Sequence, residues 1–272
     1  MLSENEIQSI TVGDITVSNK ECIYIAGPCA VESHEQTFTI TQHVTKSGAN
    51  FIRGGAFKPR TSPLSFQGLG VKGLEILFSA AKEFNVPTVT EVMDSGQIDF
   101  IINAAKGHPF IFQIGSRNAQ NYSLLSSVGK KGYPVLLKRG KGSTVEEMIG
   151  SADYIRKEGS PVIMCERGIV TFSSSAGIGR FTADHLAVIK FQQSGYLTIF
   201  DPSHAAGESS LVTPLALSGM AVGANGLMVE VHNDSKNALS DGKQALSFEQ
   251  FTELINKAKA VFRVRNETLV TA

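Results

Sequence analysis

Eight short apolar runs, each closing on a polar or charged side chain and separated from the next by helix-patterned sequence, recur between Cys22 and His232. They are CIYIAGPC from Cys22, NFIRGGA from Asn50, VPTVTEVM from Val86, FIFQIGS from Phe110, PVLLKRG from Pro134, PVIMCERG from Pro161, LTIFDPSH from Leu197 and GLMVEVH from Gly226. Runs of this length rich in Val, Ile and Phe predict strands, and their alternation with helical stretches predicts a parallel sheet. They are apolar almost throughout, as strands are when both faces are covered. An open doubly wound sheet gathers its site at one crevice, whereas a closed barrel lets every strand contribute to one mouth. Polar groups stand at the ends of all eight runs: Cys29, Arg53, Glu91, Arg117, Lys138, Arg167, His204 and Glu230. The expected architecture is therefore an α/β fold, a (β/α)8 TIM barrel.

The intervening segments have helical grammar. Leu74, Leu77, Phe78 and Ala81 fall at helical spacing, and Thr144 with Glu147 forms a capping box that opens a helix running through Ile155. Ser247 and Gln250 make a similar box ahead of a stripe of Phe251, Leu254, Ile255, Ala258 and Phe262. Before the first strand, ITVGDITVSN predicts a hairpin turning at Gly13-Asp14, a lid for the barrel's bottom. A length of 272 residues suits one barrel, and the expected division is an N-terminal extension with its hairpin over residues 1–20 and a catalytic TIM barrel over 21–272.

Composition narrows the classes of function. Hydrophobic residues at 42% and charged ones at 18% describe a globular chain with a large core. The net formal charge is zero, so there is no global field to hold nucleic acid or an anionic membrane, and anion binding must come from local clustering. Cys22, Cys29 and Cys165 are odd in number and not in CxxC spacing, which favours free thiols in a reducing compartment. The polar start MLSENEIQSI lacks a signal-peptide pattern, and no apolar run approaches the roughly 20 residues of a membrane span. A cytoplasmic protein is expected.

Cys29, His204, Glu230 and Asp241 are far apart in sequence but near the ends of the first, seventh and eighth strands or in the loop beyond. A thiol, an imidazole and two carboxylates suit a borderline divalent ion, Mn2+, Fe2+, Co2+ or Zn2+, better than Mg2+. The same residues could be an inert buried thiol, a satisfied histidine and surface acids. His232, two residues after Glu230, is a rival ligand on strand geometry. His34, His43, His108 and His185 fall in helical or loop stretches and are read as structural.

Arg53, Lys58, Arg60, Arg117, Lys138, Arg139 and Arg167 lie at strand ends or in the loops that follow. Arginine forks and lysine ammonium groups in one mouth call for phosphate or carboxylate. Arg139 and Lys141 are expected in ordinary surface ion pairs. Backbone N–H groups of Gly115-Ser116-Arg117-Asn118 could add donors for phosphate. The run Gly68-Leu69-Gly70-Val71-Lys72-Gly73 satisfies GxGxxG, but a loop of about a dozen residues separates it from its strand, so it is not a dinucleotide fingerprint. The GxxxxGK[ST], GxSxG and HExxH patterns do not occur.

Together these segments resemble the 3-deoxy-D-arabino-heptulosonate 7-phosphate (DAHP) synthases, which open the shikimate pathway. Matching motifs are GPCAVES at Gly27, RGGAFKPRTSP at Arg53, TEVMD at Thr90, QIGSRNAQN at Gln113, LLKRG at Leu136, MCERG at Met164, DPSHAAG at Asp201, and VEVH and LSDG around Glu230 and Asp241. The resemblance implies metal ligands at Cys29, His204, Glu230 and Asp241, with manganese as the expected ion. It implies that Arg53, Lys58, Arg117, Lys138 and Arg167, with Ser116 nearby, hold phosphoenolpyruvate, and that Arg60 and Thr61 grip the phosphate of D-erythrose 4-phosphate.

Cys29, His204, Lys58 and Glu91 are the expected catalytic residues, Lys58 as proton donor and either Glu91 or a metal-linked water as manager of the attacking water's proton. The KPRTS loop stands where the related 3-deoxy-D-manno-octulosonate 8-phosphate synthases, which use arabinose 5-phosphate, carry an ANRSS-like stretch. A homotetramer is expected from the relatives, with no nucleic-acid or membrane partner. With about twenty residues before the first strand there is no room for a regulatory domain, which typically needs at least roughly 50 residues, so little inhibition by phenylalanine or tyrosine is expected. The chain departs from many relatives at Val170, in the small-residue run Ser173 to Gly177, and at Asn233.

Overall fold

The structure is a computed structural model that describes residues 9–59, 62–172 and 179–269. Arg60 and Thr61, the first eight residues, and the run from Ser173 to Gly177 lie outside them.

The chain opens with an antiparallel hairpin, β1 (Ile10–Val12) and β2 (Ile15–Val17), paired Ile10 with Val17 and Val12 with Ile15 about the Gly13-Asp14 turn. Period-2 alternation sorts its faces: Ile10, Val12 and Val17 are buried, while the Thr11 and Thr16 hydroxyls meet at 3.2 Å on the outside.

Eight parallel strands follow: β3 (Ile23–Gly27), β4 (Phe51–Arg53), β5 (Thr88–Val92), β6 (Phe110–Ile114), β7 (Val135–Lys138), β8 (Val162–Glu166), β9 (Leu197–Phe200) and β10 (Gly226–Glu230). They close in the order β10-β3-β4-β5-β6-β7-β8-β9, a (β/α)8 barrel, and all eight lie within the runs read from the sequence. The outer helices are α1 (His34–Lys46), α2 (Val71–Glu83), α3 (Ile98–Ala105), α4 (Tyr122–Gly129), α5 (Val145–Lys157), α6 (His185–Gln193), α7 (Pro202–Ala206), α8 (Ser209–Ala221) and α9 (Phe248–Leu269).

Both sequence-derived caps form. The Thr144 hydroxyl accepts from the Glu147 N–H and the Glu147 carboxylate accepts from the Thr144 N–H. Ser247 and Gln250 exchange the equivalent pair. No described helix is long and apolar enough to cross a membrane.

The barrel interior is a dry core of its own. Ile23, Ile25, Phe51, Val89, Ile111, Leu136, Ile163, Cys165, Leu197, Ile199 and Met228 point inward and pack with Ile10, Val12 and Val17 of the hairpin, which thus plugs the bottom. Outward residues such as Ile52, Phe112, Leu137, Met164 and Val229 join the helices in two further clusters. Because side chains alternate, the inward position two residues past the apolar layer is the next rung of the same ladder. That rung is polar: Phe51 leads to Arg53, Val89 to Glu91, Ile111 to Gln113, Leu136 to Lys138, and Met228 to Glu230. On β8 the step passes through Cys165 to Arg167. The fold thus sets a charged layer directly on an apolar one.

Candidate active site

The charged layer and the loops above it form one pocket, lined by Arg53, Lys58, Glu91, Gln113, Ser116, Arg117, Lys138, Lys141, Arg167, Arg180, His204 and Asp241, together with Pro59 and Gly115. A larger, mostly apolar hollow between the ends of α8 and α9 lies outside the barrel and contains none of these groups. Two of its polar side chains are occupied within the fold: Arg265 caps the carbonyls of Met220 and Ala224, and Gln192 bonds Gly223 and Asn225.

At one side of the mouth, Cys29 after β3, Glu230 ending β10 and Asp241 in the β10–α9 loop bring a sulfur and two carboxylates within 4.8 Å of one another. The thiol lies 3.2 Å from Asp241 Oδ2. His204 reaches the same place from α7, its Nε2 3.5 Å from Glu230 Oε1. Its Nδ1 is 2.8 Å from Asp201 Oδ2. Burial lowers the His204 pKa, with Asp201 opposing and Lys138 assisting, which favours the neutral imidazole. A neutral ring that donates Nδ1–H to a carboxylate presents Nε2 as a lone pair, the arrangement that orients metal-binding histidines. Asp201 sits in a buried trio with His204 and Lys138; burial works against its charge, but His204 and Lys138 hold it well below the usual carboxylate range.

Glu230 is buried and fully engaged. Oε1 accepts from Arg53 Nη1 at 2.7 Å and Oε2 from Gln244 Nε2 at 2.6 Å. Burial opposes its ionisation, yet His204, Arg53 and Lys58 hold its carboxyl down at about 2. Arg53 is penalised by burial but kept charged by Glu230, above its ordinary value. The Cys29 thiol is pushed up to about 11, first by burial and then by Glu230, against the pull of Lys58 and Arg53. Lys58 Nζ donates to the Cys29 carbonyl at 2.8 Å and lies 3.1 Å from its sulfur. A buried thiol, two carboxylates and an oriented imidazole fit a borderline divalent cation, and such an ion would replace the thiol proton.

Across the mouth, Glu91 and Gln113 are register partners on β5 and β6, and the Gln113 amide donates to Glu91 Oε2 at 3.3 Å. Gly115 permits this packing, since a Cβ there would fall 1.9 Å from Glu91 Oε1. Ser116 and Arg117 begin a single 3-10 turn after β6, where the Ser116 hydroxyl donates to the Arg139 carbonyl and Arg117 is exposed to the pocket. Arg167 is buried, and its Nε and Nη1 have no hydrogen-bond partner. Donors left in this state are costly unless a ligand meets them. Burial lowers the Arg167 pKa.

Three sequence readings change. Arg139 is no surface residue: it is buried, with Nη1 donating to Glu166 Oε2 at 2.9 Å and to Asp184 Oδ2 at 2.6 Å. It follows the inward Lys138 by one residue, so it leaves the pocket side and braces the β8–α6 connection instead. Lys141 lines the pocket and, among the described residues, makes no ion pair. His232 is not a rival ligand, because Nδ1 accepts from the Asp234 N–H and Nε2 lies 3.1 Å from the Gln36 amide.

The GxGxxG run has a structural role. The Gly70 N–H donates to the Ala56 carbonyl, and a Cβ on Gly68, at φ +91°, would sit 2.1 Å from that oxygen. The sequence reading missed Gln113, Asp201 and Arg180. Period 2 from Ile111 would have found Gln113, and Asp201 stands one residue past β9.

The DAHP synthetase I family model matches residues 5–265. A phospho-2-dehydro-3-deoxyheptonate aldolase from Thermotoga maritima is 46% identical over 252 residues, 92% of this chain and 72% of that protein. A 2-dehydro-3-deoxyphosphooctonate aldolase from Syntrophobacter fumaroxidans is 28% identical over 272 residues, 93% of this chain and 91% of its own. The crystal structure of a DAHP synthase from Thermotoga maritima superposes with a TM-score of 0.89 at 44% identity, covering 95% of this chain and 74% of that one. A truncated form of the 3-deoxy-D-arabino-heptulosonate 7-phosphate synthase from Thermotoga maritima gives 0.86 at 40% identity, covering 95% and 93%.

Proposed function

Because the chain belongs to the DAHP synthetase I family, we propose that it is the enzyme that condenses phosphoenolpyruvate with D-erythrose 4-phosphate and water to give DAHP and phosphate, the entry to the shikimate pathway. The observation that carries this reading is the pairing, in one barrel mouth, of a thiol–carboxylate cluster, with the His204 imidazole against its Glu230, and buried arginines whose donors are unspent.

Cys29, His204, Glu230 and Asp241 would hold the divalent ion. When bound, such an ion supplies Lewis-acid polarisation of the aldehyde oxygen. Arg117, Lys138 and Arg167, with Ser116 beside them, bind the carboxylate and phosphate of phosphoenolpyruvate and set its C3 toward the aldehyde carbon. Arg53 holds Glu230 in place at 2.7 Å. The new C–C bond forms from C3, water adds at C2, and phosphate leaves with C–O cleavage to give the 2-keto product. Lys58, 7% exposed and pointing at the cluster, donates the proton to the new hydroxyl, and Glu91 takes the proton of the added water.

Arg60 and Thr61 are proposed to grip the aldose phosphate on the strength of the KPRTS motif. Manganese is proposed as the working ion, with Fe2+, Co2+ and Zn2+ compatible with the same donors. Family likeness also supports a cytoplasmic homotetramer, which light scattering checks. The deciding experiment follows phosphoenolpyruvate consumption with erythrose 4-phosphate or arabinose 5-phosphate, with and without EDTA, then with single ions restored. Preference for arabinose 5-phosphate would move the chain to octulosonate chemistry, and undiminished turnover in EDTA would remove the metal.

A further inference from the structure

Phe181, in the loop between β8 and α6, is the meeting point of three cations. Cζ of Arg167 lies 4.2 Å from its ring centroid, Cζ of Arg180 5.5 Å and Nζ of Lys141 5.6 Å. They come from three segments: the end of β8, the loop of Phe181 itself, and the β7–α5 loop. All three line the mouth, and the ring is not part of that lining. Gathering like charges costs free energy: burial, then Arg117, Arg167 and Arg180, disfavour the Lys141 ammonium.

Elsewhere in the barrel such a cost is met by carboxylates, as Glu166 and Asp184 meet it for Arg139. Among the described residues, Arg167 and Lys141 have no such partner, and Arg180 has one at 3.7 Å, Asp241. A carboxylate would cancel the charge and take up the donors. An aromatic face attracts cations through its quadrupole and leaves both intact.

The ring is held to this place by its backbone. The Phe181 N–H donates to the Ala205 carbonyl at 2.9 Å, Ile169 and Thr182 exchange two hydrogen bonds at 3.0 Å, and a Cβ on Gly168 would fall 2.8 Å from Cβ of Phe181. The ring is thereby tied both to the residue after Arg167 and to α7, which carries His204.

We propose that Phe181 is a positioning residue for the anionic end of phosphoenolpyruvate, holding Arg167, Lys141 and Arg180 together without cancelling their charge and leaving the Arg167 N–H donors free. This assignment rests on the substrate reading above. Its test compares Phe181→Leu with Phe181→Tyr, which keeps the quadrupole, and uses inorganic phosphate as a second probe by calorimetry.

For Phe181→Leu, KM for phosphoenolpyruvate and Kd for inorganic phosphate rise roughly tenfold, while kcat and KM for erythrose 4-phosphate hold within about twofold. Phe181→Tyr binds as the unaltered protein does. Circular dichroism confirms folding, and Phe181→Met serves where the leucine variant does not fold. Unchanged phosphate and phosphoenolpyruvate binding in Phe181→Leu, or equal loss in a folded Phe181→Tyr, overturns the proposal. If the unaltered protein does not turn over phosphoenolpyruvate, the substrate reading fails by itself, and the phosphate titration still decides the role of Phe181.

Discussion

At the floor of the barrel Phe51, Val89, Ile111, Leu136 and Met228 close on a hairpin that carries no charge toward them, whereas two residues along the same strands Arg53, Glu91, Gln113 and Lys138 face a polar pocket and Glu230 lies buried against Arg53. One backbone therefore serves two environments separated by a single pleat. The floor takes part in stability through buried apolar area, the mouth through charges that must find partners. In the mouth the partners are unevenly shared. Glu230 and Asp201 are fully engaged, while Arg167 keeps free donors.

The sharpest way to break this division is to cut each layer in turn. Cys29→Ala in the mouth lowers kcat by about a thousandfold or more, near 4 kcal/mol, with the melting transition little changed. Activity that survives in EDTA-treated Cys29→Ala would dissolve the proposed metal role. Phe51→Ala in the floor costs roughly 3–5 kcal/mol of unfolding free energy, read by urea titration, with kcat of the folded protein preserved. A large loss of kcat there would mean that the layers are coupled. Arg117→Ala raises KM for phosphoenolpyruvate about tenfold or more, since a charge-assisted bond contributes about 1.5–3 kcal/mol. An unchanged KM would place the phosphate elsewhere.

Smaller effects sharpen the boundary. Val12→Ala in the hairpin destabilises by about 1–2 kcal/mol, from two lost methyl-sized groups, without touching turnover. Acid separates the layers as well. The Glu230 carboxyl, near 4.5 when unpaired, is held at about 2 in the fold, so its contribution to stability is present above about 4.5 and is lost as pH falls toward 2. The urea midpoint of the unaltered protein therefore drops through that window, and Glu230→Gln shows a shallower drop. Parallel curves would assign acid lability to other groups.

The eight strands, the hairpin and both capping boxes were legible because each is written locally, in short β-branched runs and in residues three apart. The proposed ligand set was half legible: Cys29, His204 and Glu230 stood near strand ends, but the approach of Cys29, Glu230 and Asp241 depends on barrel closure and on the β10–α9 loop, where Asp241 adopts φ +52°. Arg139 misled because a charge after a strand looks like surface, and its partners Glu166 and Asp184 lie 27 and 45 residues away. Phe181 was invisible, since it lies in a connection with no periodicity and its importance comes from three cations on separate segments.

The hairpin under the barrel also has an electrical meaning. Without it the lowest layer of the packed interior would face water, which would polarise and weaken the field above it. Plugged by Ile10, Val12 and Val17, the barrel becomes a cup whose base is poorly polarisable, so the potential of its arginines and lysines is directed out through the rim. An anion approaching from above meets that potential before it meets any side chain, and two short strands at the far end help to set how fast it arrives.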